Sequence, residues 1–460
     1  MKNQSILLSQ VKFSNMTQWD VKQFFFSKLN SNYPIVELGK HLIHHTEKIC
    51  PSDYPDDDFA ILGVSNKIGM FDASIEKGKS IKQKYHIVKE NWLAYNPYRI
   101  NVGSIGIKTS DLKGNYISPA YVVFSCKNTI LPEYLWLMMK SNLFSLLIKD
   151  STTGSVRQTL RYEKLAAIKA PVPSITEQER ILKEYHELLD KAEAEVVKGD
   201  KYGLTLLKDI QAEVSNLNED DLKADDTASI LSTVSFTATD RWEVGYIYKQ
   251  GHLDKINNSF KYDSKSISDL EPESLFGLSI KSSLEQKKGL IPMLRMTNIV
   301  NGEVDYSELK YVPAEEASSK TEVDKWILHN GDFLVTRTNG SKDLVGKAAV
   351  FKNAETFTYA SYLIRYRFDN SIILTDYVNI MFLLPIVREQ IAVMRRQGGG
   401  QYNLNSDEIG AIRIPVPSIP EQQRIIDKFN NQKDGANKYY DKAEELRKRA
   451  KIGFESEIFN

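Results

Sequence analysis

The chain has few cysteines, no excess of one charge and no long apolar run, and each of these absences excludes a class of protein. Among 460 residues there are only two cysteines, Cys50 and Cys126, which cannot form a disulfide framework and suit a reducing compartment. The 60 basic residues balance 60 acidic ones, so a globally basic nucleic-acid binder is excluded, although a local basic face is not. The best apolar run, Leu143 to Ile148, is far shorter than the roughly 18 residues of a membrane span.

The residues that are present predict a multidomain protein with packed cores. Hydrophobic residues make up 42% of the chain and aromatic residues 10%, which excludes a mainly disordered chain. The length exceeds what a single hydrophobic core usually supports. No signal-peptide core follows Met1. We therefore expect a cytoplasmic protein of two or more domains, without a membrane anchor.

The most informative feature is an internal repeat with an offset of 244 residues. The 17 residues from Leu165 to Ile181 recur from Ile409 to Ile425, and eleven of these positions are identical. Upstream, Ala120–Val123 resembles Ser361–Ile364. The repeat predicts two similar globular domains, one in each half of the chain.

A long polar helix is predicted after each copy of the repeated motif. Ser174 and Ser418 suit the N-cap position, each with a glutamate three residues later. Further on, Leu189–Glu193 matches Tyr440–Glu444 at an offset of 251, so the second copy has seven additional residues. Seven residues are one heptad, which a helix absorbs with only about 20° of drift in its face. The apolar stripe of each helix is narrow and needs a partner helix.

These elements predict an α+β fold with two globular domains, related by an approximate twofold axis and separated by two long antiparallel coiled-coil helices. Strands are predicted at Tyr121–Phe124 and Tyr362–Phe368, and one apolar helix per copy at Glu133–Ile148 and Thr375–Met394. Two such domains, held apart by a first helix about 60 Å long at about 1.5 Å per residue, match two half-sites on a DNA duplex. The predicted segments are a first domain at 1–175, a first helix at 176–215, an acidic linker at 216–239, a second domain at 240–419 and a second helix at 420–460.

The doubled Pro-x-Pro-Ser motif with its Glu-Gln pair resembles the specificity subunits of type I restriction–modification systems. In each copy the motif follows a glycine-bearing loop and precedes a coiled-coil helix, and the resemblance extends from Trp19 to the C-terminus. The segment Ala94–Gly106 is also similar to the first-domain signature of many such subunits, and Leu334–Gly340 carries a variant of it. The unequal lengths of the two helices depart from the family pattern.

The resemblance implies a DNA-reading subunit without a catalytic site of its own. Two target recognition domains would each read one half of a bipartite, asymmetric DNA site. The helices would fix the unread spacer and dock two adenine-N6 methyltransferase subunits, and two motor-nuclease (restriction) subunits would complete the complex. The chain itself would hold no cofactor. S-adenosylmethionine would belong to the methyltransferase partner, and ATP and Mg²⁺ to the motor-nuclease partner.

Candidate DNA contacts lie in two glycine-bearing loops and in lysine-rich segments. Glycines at 154 and at 398–400 allow a close approach of the backbone to a phosphate, and Arg, Gln and Asn read guanine and adenine edges. The lysines suit phosphates rather than bases. The alternative is that the loops only link a helix to a strand and that the lysines form a solvated face. The predicted DNA-binding residues are Lys77, Lys79, Lys82, Lys84, Arg157 and Gln158 in the first domain, and Arg337, Asn339, Lys342, Gln401 and Asn403 in the second.

The repeated Glu-Gln pairs are predicted to start the long helices. Glu177 and Gln178 in the first copy correspond to Glu421 and Gln422 in the second. Carboxylates at a helix N-terminus are favoured by the helix dipole. A role of these four residues in docking a partner is a secondary prediction.

The chain lacks the motifs that catalysis would need. Asn96–Tyr98 is one proline short of the amino-methyltransferase motif, and no glycine-rich cofactor loop precedes it, so we expect a turn between strands. Gly398–Gly400 lacks the Lys-Ser/Thr of a phosphate-binding loop. The histidines at 41, 44 and 45 lack convergent ligands, and we expect them to face solvent rather than a metal. The aspartates at 56–58 predict a solvated turn.

Two other classes of function stay open. A duplicated scaffold that binds proteins, or a decoy subunit, would give no sequence-dependent protection of DNA. An autonomous methyltransferase would require the isolated chain to bind S-adenosylmethionine tightly.

Overall fold

The protein divides into two units, each containing parts of both long helices. The computed structural model describes residues 30–151, 159–218, 220–222, 244–318 and 324–459. The first unit comprises residues 1–195 together with 441–460, and the second comprises residues 196–440. The division therefore cuts through the long helices rather than falling at their ends.

The helices and strands of the first unit occupy the following ranges. Its helices are α1 (Pro132–Lys140), α2 (Asn142–Ser151), α3 (Tyr162–Ala167) and the first half of α4 (Ile175–Val214). Its strands are β1 (Ile35–Glu37), β2 (Leu42–His45), β3 (Lys48–Ile49), β4 (Asp58–Ser65), β5 (Gly69–Lys77), β6 (Tyr85–Ile87), β7 (Leu93–Tyr95), β8 (Ile105–Ile107), β9 (Tyr116–Ile117), β10 (Val122–Cys126) and β11 (Lys169–Pro171).

The second unit contains the remaining elements. Its helices are α5 (Val244–Asn257), α6 (Thr375–Leu383), α7 (Pro385–Met394), α8 (Ser406–Gly410) and the first half of α9 (Ile419–Ile458). Its strands are β12 (Ser264–Ser266), β13 (Glu273–Phe276), β14 (Leu290–Leu294), β15 (Ile299–Val300), β16 (Glu303–Val304), β17 (Lys310–Pro313), β18 (Phe333–Thr336), β19 (Thr338–Asn339), β20 (Ala348–Val350), β21 (Thr358–Tyr359), β22 (Leu363–Arg367), β23 (Arg396–Gly398), β24 (Gln401–Asn403) and β25 (Arg413–Pro415).

The two units repeat the same central topology. A four-stranded sheet has the order β2-β10-β7-β8 in the first unit and β13-β22-β18-β20 in the second. The short pair β1-β11 likewise corresponds to β12-β25, antiparallel in both. The units differ outside this sheet, where the first unit has a sheet of five strands (β3-β6-β9-β4-β5) and the second has one of three (β17-β14-β21). The sequence repeat is thus a repeat of strand order, with the peripheral sheets diverged.

The apolar segment before each motif forms two helices rather than the single helix expected from the sequence. In the second unit the break falls at Leu384, which is extended (φ −67°, ψ 139°) because the next residue is Pro385. In the first unit Ser141 is extended, and its hydroxyl accepts a hydrogen bond from Phe144 N at 3.2 Å, which caps α2. The predictions of one continuous helix at Glu133–Ile148 and at Thr375–Met394 were therefore wrong, because each segment contains two helices.

The long helices α4 and α9 each contain 40 residues, so the unequal helix lengths expected from the sequence were wrong. The two helices pair in opposite chain directions within each unit. In the first unit the early residue Arg180 forms an ion pair with the late residue Glu457. In the second unit the order reverses, because Arg424, near the start of α9, pairs with Glu213 at 2.6 Å. The predicted α+β class with two long antiparallel helices is confirmed.

Each unit has a core built around its four-stranded sheet and the helices beside it. In the first unit, buried side chains of α1 and α4 meet Phe454 and Ile458 from the last turns of α9. In the second, Leu206, Ile210 and Val214 of α4 enter the core with α6 and α7. Neither core is complete without a segment distant in sequence.

In the described part of the chain, no single helix is long and apolar enough to cross a membrane. The pair α6 and α7 reaches that length and composition together, but it bends by 75° at the junction.

Candidate nucleic-acid interface

The second unit brings two of the predicted DNA-contact segments together in one small sheet. Strand β24, which carries Gln401 and Asn403, pairs with β23 on one side and with β19 on the other. Strand β19 carries Asn339, and its residue Thr338 lies opposite Asn403. The segments are about 60 residues apart in sequence, yet they form one surface. We call this three-stranded sheet, with Arg337 and the β23–β24 turn, the reading sheet.

Two glycines shape the tip of the reading sheet. Gly399 and Gly400 connect β23 to β24, with φ values of +60° and +76°. Positive φ at both central residues is the backbone of the tight hairpin turn that suits the twist of its strands. A Cβ at either position would meet no atom within 4 Å, so the conformation, and not crowding, requires glycine. The tip is therefore a tight, exposed turn.

Arg337 lies at the base of the reading sheet without an acidic partner. Its guanidinium carbon is 5.0 Å from the ring centroid of Phe276, in a cation–π contact. Its Nε is buried and has no hydrogen-bond partner, and no described residue forms an ion pair with it. A preoriented arginine with free outer nitrogens is the group that reads guanine or binds phosphate in a bidentate manner.

The amide side chains of the reading sheet are partly committed to the protein. Thr338 Oγ1 donates to Asn403 Oδ1 at 2.8 Å, which fixes the orientation of that amide. Asn339 Oδ1 accepts from Ser341 N at 3.1 Å, which turns the following loop. Gln401 is exposed on β24, and Lys342 is exposed on the loop after β19. The predicted residues of the second domain thus all lie on or beside one sheet.

The loop that carries Lys342 is anchored by Arg388 of α7. The guanidinium of Arg388 donates to the carbonyl oxygens of Gly346, Val345 and Asp343 at 2.8, 2.9 and 3.1 Å. Burial, together with the nearby Arg395, lowers the pKa of Arg388. Gly346 has φ +71°, and a Cβ there would stand 2.8 Å from Ile391, so glycine is required at this position.

Sequence reasoning missed two residues of this surface. Gln397 is exposed on β23, opposite Tyr402. Arg395 stacks over the Tyr402 ring at 5.8 Å and donates to Lys342 O at 3.1 Å, which links the hairpin to the loop. The Arg-Arg-Gln run before the three glycines was the available signal, but only strand pairing shows which side chains share a surface.

In the first unit, the four predicted lysines lie at the C-terminal end of β5 and in the segment that follows it. That strand begins at Gly69 beside Gly106 and ends at Lys77, roughly 26 Å away at about 3.3 Å per residue. Lys77 pairs with Asp58 at 2.9 Å, so its charge is partly neutralised. Lys79, Lys82 and Lys84 are exposed, and no described residue forms an ion pair with them.

Arg157 and Gln158 lie outside the described residues, but the position just after them is fixed. Leu160 N donates to Pro97 O at 3.0 Å, and in the second unit Leu404 N donates to Arg337 O at 2.8 Å. In both units the chain after the glycine-bearing loop therefore joins the turn that follows the central strand, β7 or β18. In the first unit this turn is Asn96–Tyr98, as predicted, and it exposes the ring of Tyr98.

The histidines beside this turn stack on aromatic rings. His44 stacks on Tyr162 with ring centroids 4.0 Å apart, and His45 stacks on Trp92 at 3.5 Å. Burial lowers the pKa of both histidines, with Glu163 opposing the shift at His44. Within the residues that the structure describes, no group of three His, Cys, Asp or Glu side chains is placed to hold a metal ion.

The glutamines of the repeated Glu-Gln pairs are structural. Gln178 is fully buried: its Oε1 accepts from Leu131 N at 2.7 Å, and its Nε2 donates to the carbonyls of Thr129 and Pro173. Gln422 repeats this pattern with Leu374 N at 2.8 Å. Each amide joins a long helix to the start of an apolar helix. These glutamine side chains have no access to solvent and so cannot contact a partner directly. Of the four residues predicted to dock a partner, only Glu177 and Glu421 remain candidates.

Each of those glutamates lies in an ion-pair network that also includes a residue of the other long helix, Glu457 of α9 in the first unit and Glu213 of α4 in the second. Arg180 Nε donates to Glu177 at 2.9 Å, and Arg424 Nε donates to Glu421 at the same distance. Hydrogen bonds from Arg180 and then Tyr33 lower the pKa of Glu457. A hydrogen bond from Arg424, aided by Tyr262, lowers the pKa of Glu421.

Comparison with known proteins finds a family model that matches part of the chain. Residues 263–438 match the family model described as a type I restriction modification DNA specificity domain. This range spans the second unit from β12 through the reading sheet and into α9. This segment is therefore similar to such a domain, and the resemblance predicted from the repeated motifs is confirmed.

Two individual specificity subunits are also similar to part of the chain. The chain is 23% identical over 289 residues to the specificity subunit of the type I restriction enzyme EcoKI from Escherichia coli K12, covering 62% of this chain and 55% of that protein. It is 23% identical over 301 residues to the StySPI specificity subunit from Salmonella potsdam, covering 65% and 57%. The chain thus spans little more than half the length of these relatives.

Solved structures give similar matches. The HsdS subunit from Thermoanaerobacter tengcongensis is 14% identical, with 94% of this chain and 97% of that chain covered and a TM-score of 0.37. The S subunit of a type I system from M. genitalium is 11% identical with the same coverage and TM-score.

Proposed function

We propose that the chain is the DNA sequence-recognition subunit of a type I restriction–modification complex. The observation that carries this proposal is the reading sheet, which lies inside the matched segment. It presents Arg337, which has no ion-pair partner among the described residues, together with exposed amides and an exposed glycine turn. Such side chains read base edges, and such tips approach the backbone. Each unit would read one half of a bipartite, asymmetric site.

The chain would contribute recognition and positioning, while its partners supply the chemistry. Two adenine-N6 methyltransferase subunits would bind S-adenosylmethionine and flip the target adenine. Two motor-nuclease subunits would bind ATP and Mg²⁺ for cleavage. The paired helices α4 and α9, with Glu177 and Glu421, are the proposed docking surface, and the complex would act in the cytoplasm on cellular DNA.

The first experiment is a map of N6-methyladenine in host DNA with the gene intact and deleted. We expect deletion to remove methylation at one split motif. An unchanged map, with the methyltransferase partners expressed, would favour a protein-binding scaffold instead.

The second experiment assigns half-sites to units. Substituting Arg157 and Gln158 by alanine should relax specificity in one half-site, and Asn339→Ala with Asn403→Ala should relax the other. Removing the side chain that hydrogen-bonds a base edge costs about 1–3 kcal/mol of discrimination against the wrong base. Equal loss of specificity in both halves from either pair of substitutions would contradict the assignment.

A further inference from the structure

A solvent-open cleft of about 360 Å³ borders the reading sheet in the second unit. Its floor is apolar, with Met293 and Ala360 among the lining residues. Its polar lining consists of three serines, a threonine, a tyrosine, Arg295 and Lys310. Of the described lining residues, none is acidic. Two cations among hydroxyl groups, without a carboxylate, are suited to a phosphate group.

The two cations of the cleft are not neutralised by the protein. Neither Arg295 nor Lys310 forms an ion pair in the ranges that the structure describes. Arg295 Nε is buried and has no hydrogen-bond partner, and Nη2 makes only a long contact of 3.4 Å to Glu308 O. A buried donor without an acceptor is unfavourable, and a bound anion would satisfy it.

The backbone that presents Arg295 is fixed independently of its side chain. Arg295 N donates to Asn298 Oδ1 at 2.9 Å, and Asn298 Nδ2 donates to the carbonyls of Asp305 and Glu308 at 2.8 and 3.0 Å. Asn298 is buried. Replacing the Arg295 side chain therefore leaves these bonds in place.

The cleft and the reading sheet share a wall. Arg337 N donates to the carbonyl of Tyr362, which lines the cleft, at 2.9 Å. Asn339 Nδ2 lies 3.9 Å from the sulfur of Met296, another lining residue. An anion in the cleft would thus lie beside the side chains proposed to contact bases.

The first unit has a glycine instead of an arginine at the equivalent place. The parallel pairing of Leu62 with Ile117 corresponds to that of Leu294 with Tyr359, so Gly63 stands where the second unit has Arg295. A Cβ at Gly63 would lie 2.7 Å from the Phe71 ring, which covers this position. The arginine is therefore a feature of the second unit.

We propose that the cleft binds a phosphodiester group of the DNA backbone next to the bases contacted by the reading sheet. Arg295 and Lys310 supply the charge, and Thr297 and Ser361 supply hydroxyl donors. This inference rests on the proposed function, and it assigns Arg295 a positioning role that does not depend on base sequence.

The test uses the chain assembled with its methyltransferase partners and a duplex carrying the methylated motif. Binding is measured by fluorescence anisotropy across a salt series. For Arg295→Gln we expect weaker binding to every sequence and a slope of log K against log salt concentration that is about 0.9 smaller in magnitude, the effect of one phosphate contact. Arg295→Lys should keep most of the slope. Lys352→Ala is the matched control, because it removes one positive charge from an exposed lysine of the same unit that pairs with Asp376 outside the cleft.

The outcomes separate this inference from the proposed function. An unchanged slope and affinity in Arg295→Gln, with unchanged thermal unfolding, would overturn the phosphate assignment while leaving recognition intact. Relaxed preference at a single base would show a base contact instead and overturn it as well. If inorganic phosphate stabilises the wild-type chain but not Arg295→Gln, and DNA binding is equal in both, the cleft takes free phosphate and the DNA assignment fails. Should Arg295→Gln not fold, Lys310→Gln must reduce the slope. Absence of sequence-specific binding by the wild-type complex would instead contradict the proposed function.

Discussion

At the scale of single residues, two buried glutamines connect distant parts of each unit. Gln178 and Gln422 each satisfy one backbone N–H and two carbonyls in segments up to 50 residues away. The sequence marked both as helix starts because of their position after Pro-Val-Pro-Ser. It could not show their burial, since the receiving N–H of Leu131 or Leu374 belongs to another element.

We expect Gln422→Ala to destabilise the second unit. The substitution leaves a buried N–H and two carbonyls without partners, at a cost of about 1–3 kcal/mol in the free energy of unfolding. The neighbouring substitution Gln423→Ala is the control, because Gln423 is exposed and bonds only Asp427 at 2.8 Å. Urea unfolding measures both. Equal midpoints for the two variants would refute the structural role.

The lowered pKa of Glu457 predicts a dependence of stability on pH. A carboxyl whose pKa is lower in the folded state than its usual value of about 4.3 stabilises the fold above that value, and loses this contribution as pH falls through the folded pKa. We expect the wild-type chain to lose stability on acidification below about pH 4.3 more steeply than Glu457→Gln. Glu445→Gln, at an exposed position, should follow the wild type. Unfolding midpoints between pH 6 and 3 provide the measurement, and parallel curves for wild type and Glu457→Gln would count against the Arg180–Glu457 pair.

At the scale of elements, two glycines inside the long helices lie close against aromatic side chains of the facing helix. A Cβ at Gly199 would lie 2.9 Å from the Tyr440 ring, and one at Gly435 would lie 2.9 Å from the hydroxyl of Tyr202. Gly203, only one helical turn beyond Gly199, meets no atom within 4 Å. Along α4, therefore, Gly199 leaves room for a ring of the facing helix, whereas Gly203 faces open space.

These two environments predict opposite effects of alanine. Gly203→Ala should stabilise the chain by about 0.4–1 kcal/mol, because it restricts the unfolded state without a clash. Gly199→Ala should lose this gain, because the Tyr440 ring, whose hydroxyl donates to Asp200 at 2.8 Å, must move. Chemical unfolding of the two variants decides the matter, and an equal stabilisation by both would show that the helices tolerate a wider separation.

The elements also show what local sequence could predict. The long helices were predictable because the capping serines and the apolar stripe are local signals. The break at Pro385 is a local signal too, but a continuous apolar pattern on both sides hid it. The reading sheet was not predictable as a sheet, because β19 and β24 lie about 60 residues apart and are only two and three residues long.

At the scale of the whole molecule, the repeat predicted two similar α+β halves, and the equivalent central sheets bear this out. The repeat could not predict how the chain is shared between the units. The predicted segments placed the second long helix after the second domain, whereas residues 441–460 belong to the first unit. The reason is long-range packing, because Phe454, Ile458 and Phe459 fill a core whose other members precede residue 186.

That sharing sets an order of events during synthesis. The first unit lacks part of its core until the second half of α9, which carries Phe454 and Ile458, has left the ribosome. At about 5–20 residues per second, the interval between completing residue 195 and reaching residue 441 is roughly 12 to 50 s. Throughout that time the apolar surface that receives α9 is uncovered and open to chaperones or to other chains. A chain terminated before residue 441 would keep this surface of the first unit exposed, because it would lack the core side chains that α9 supplies.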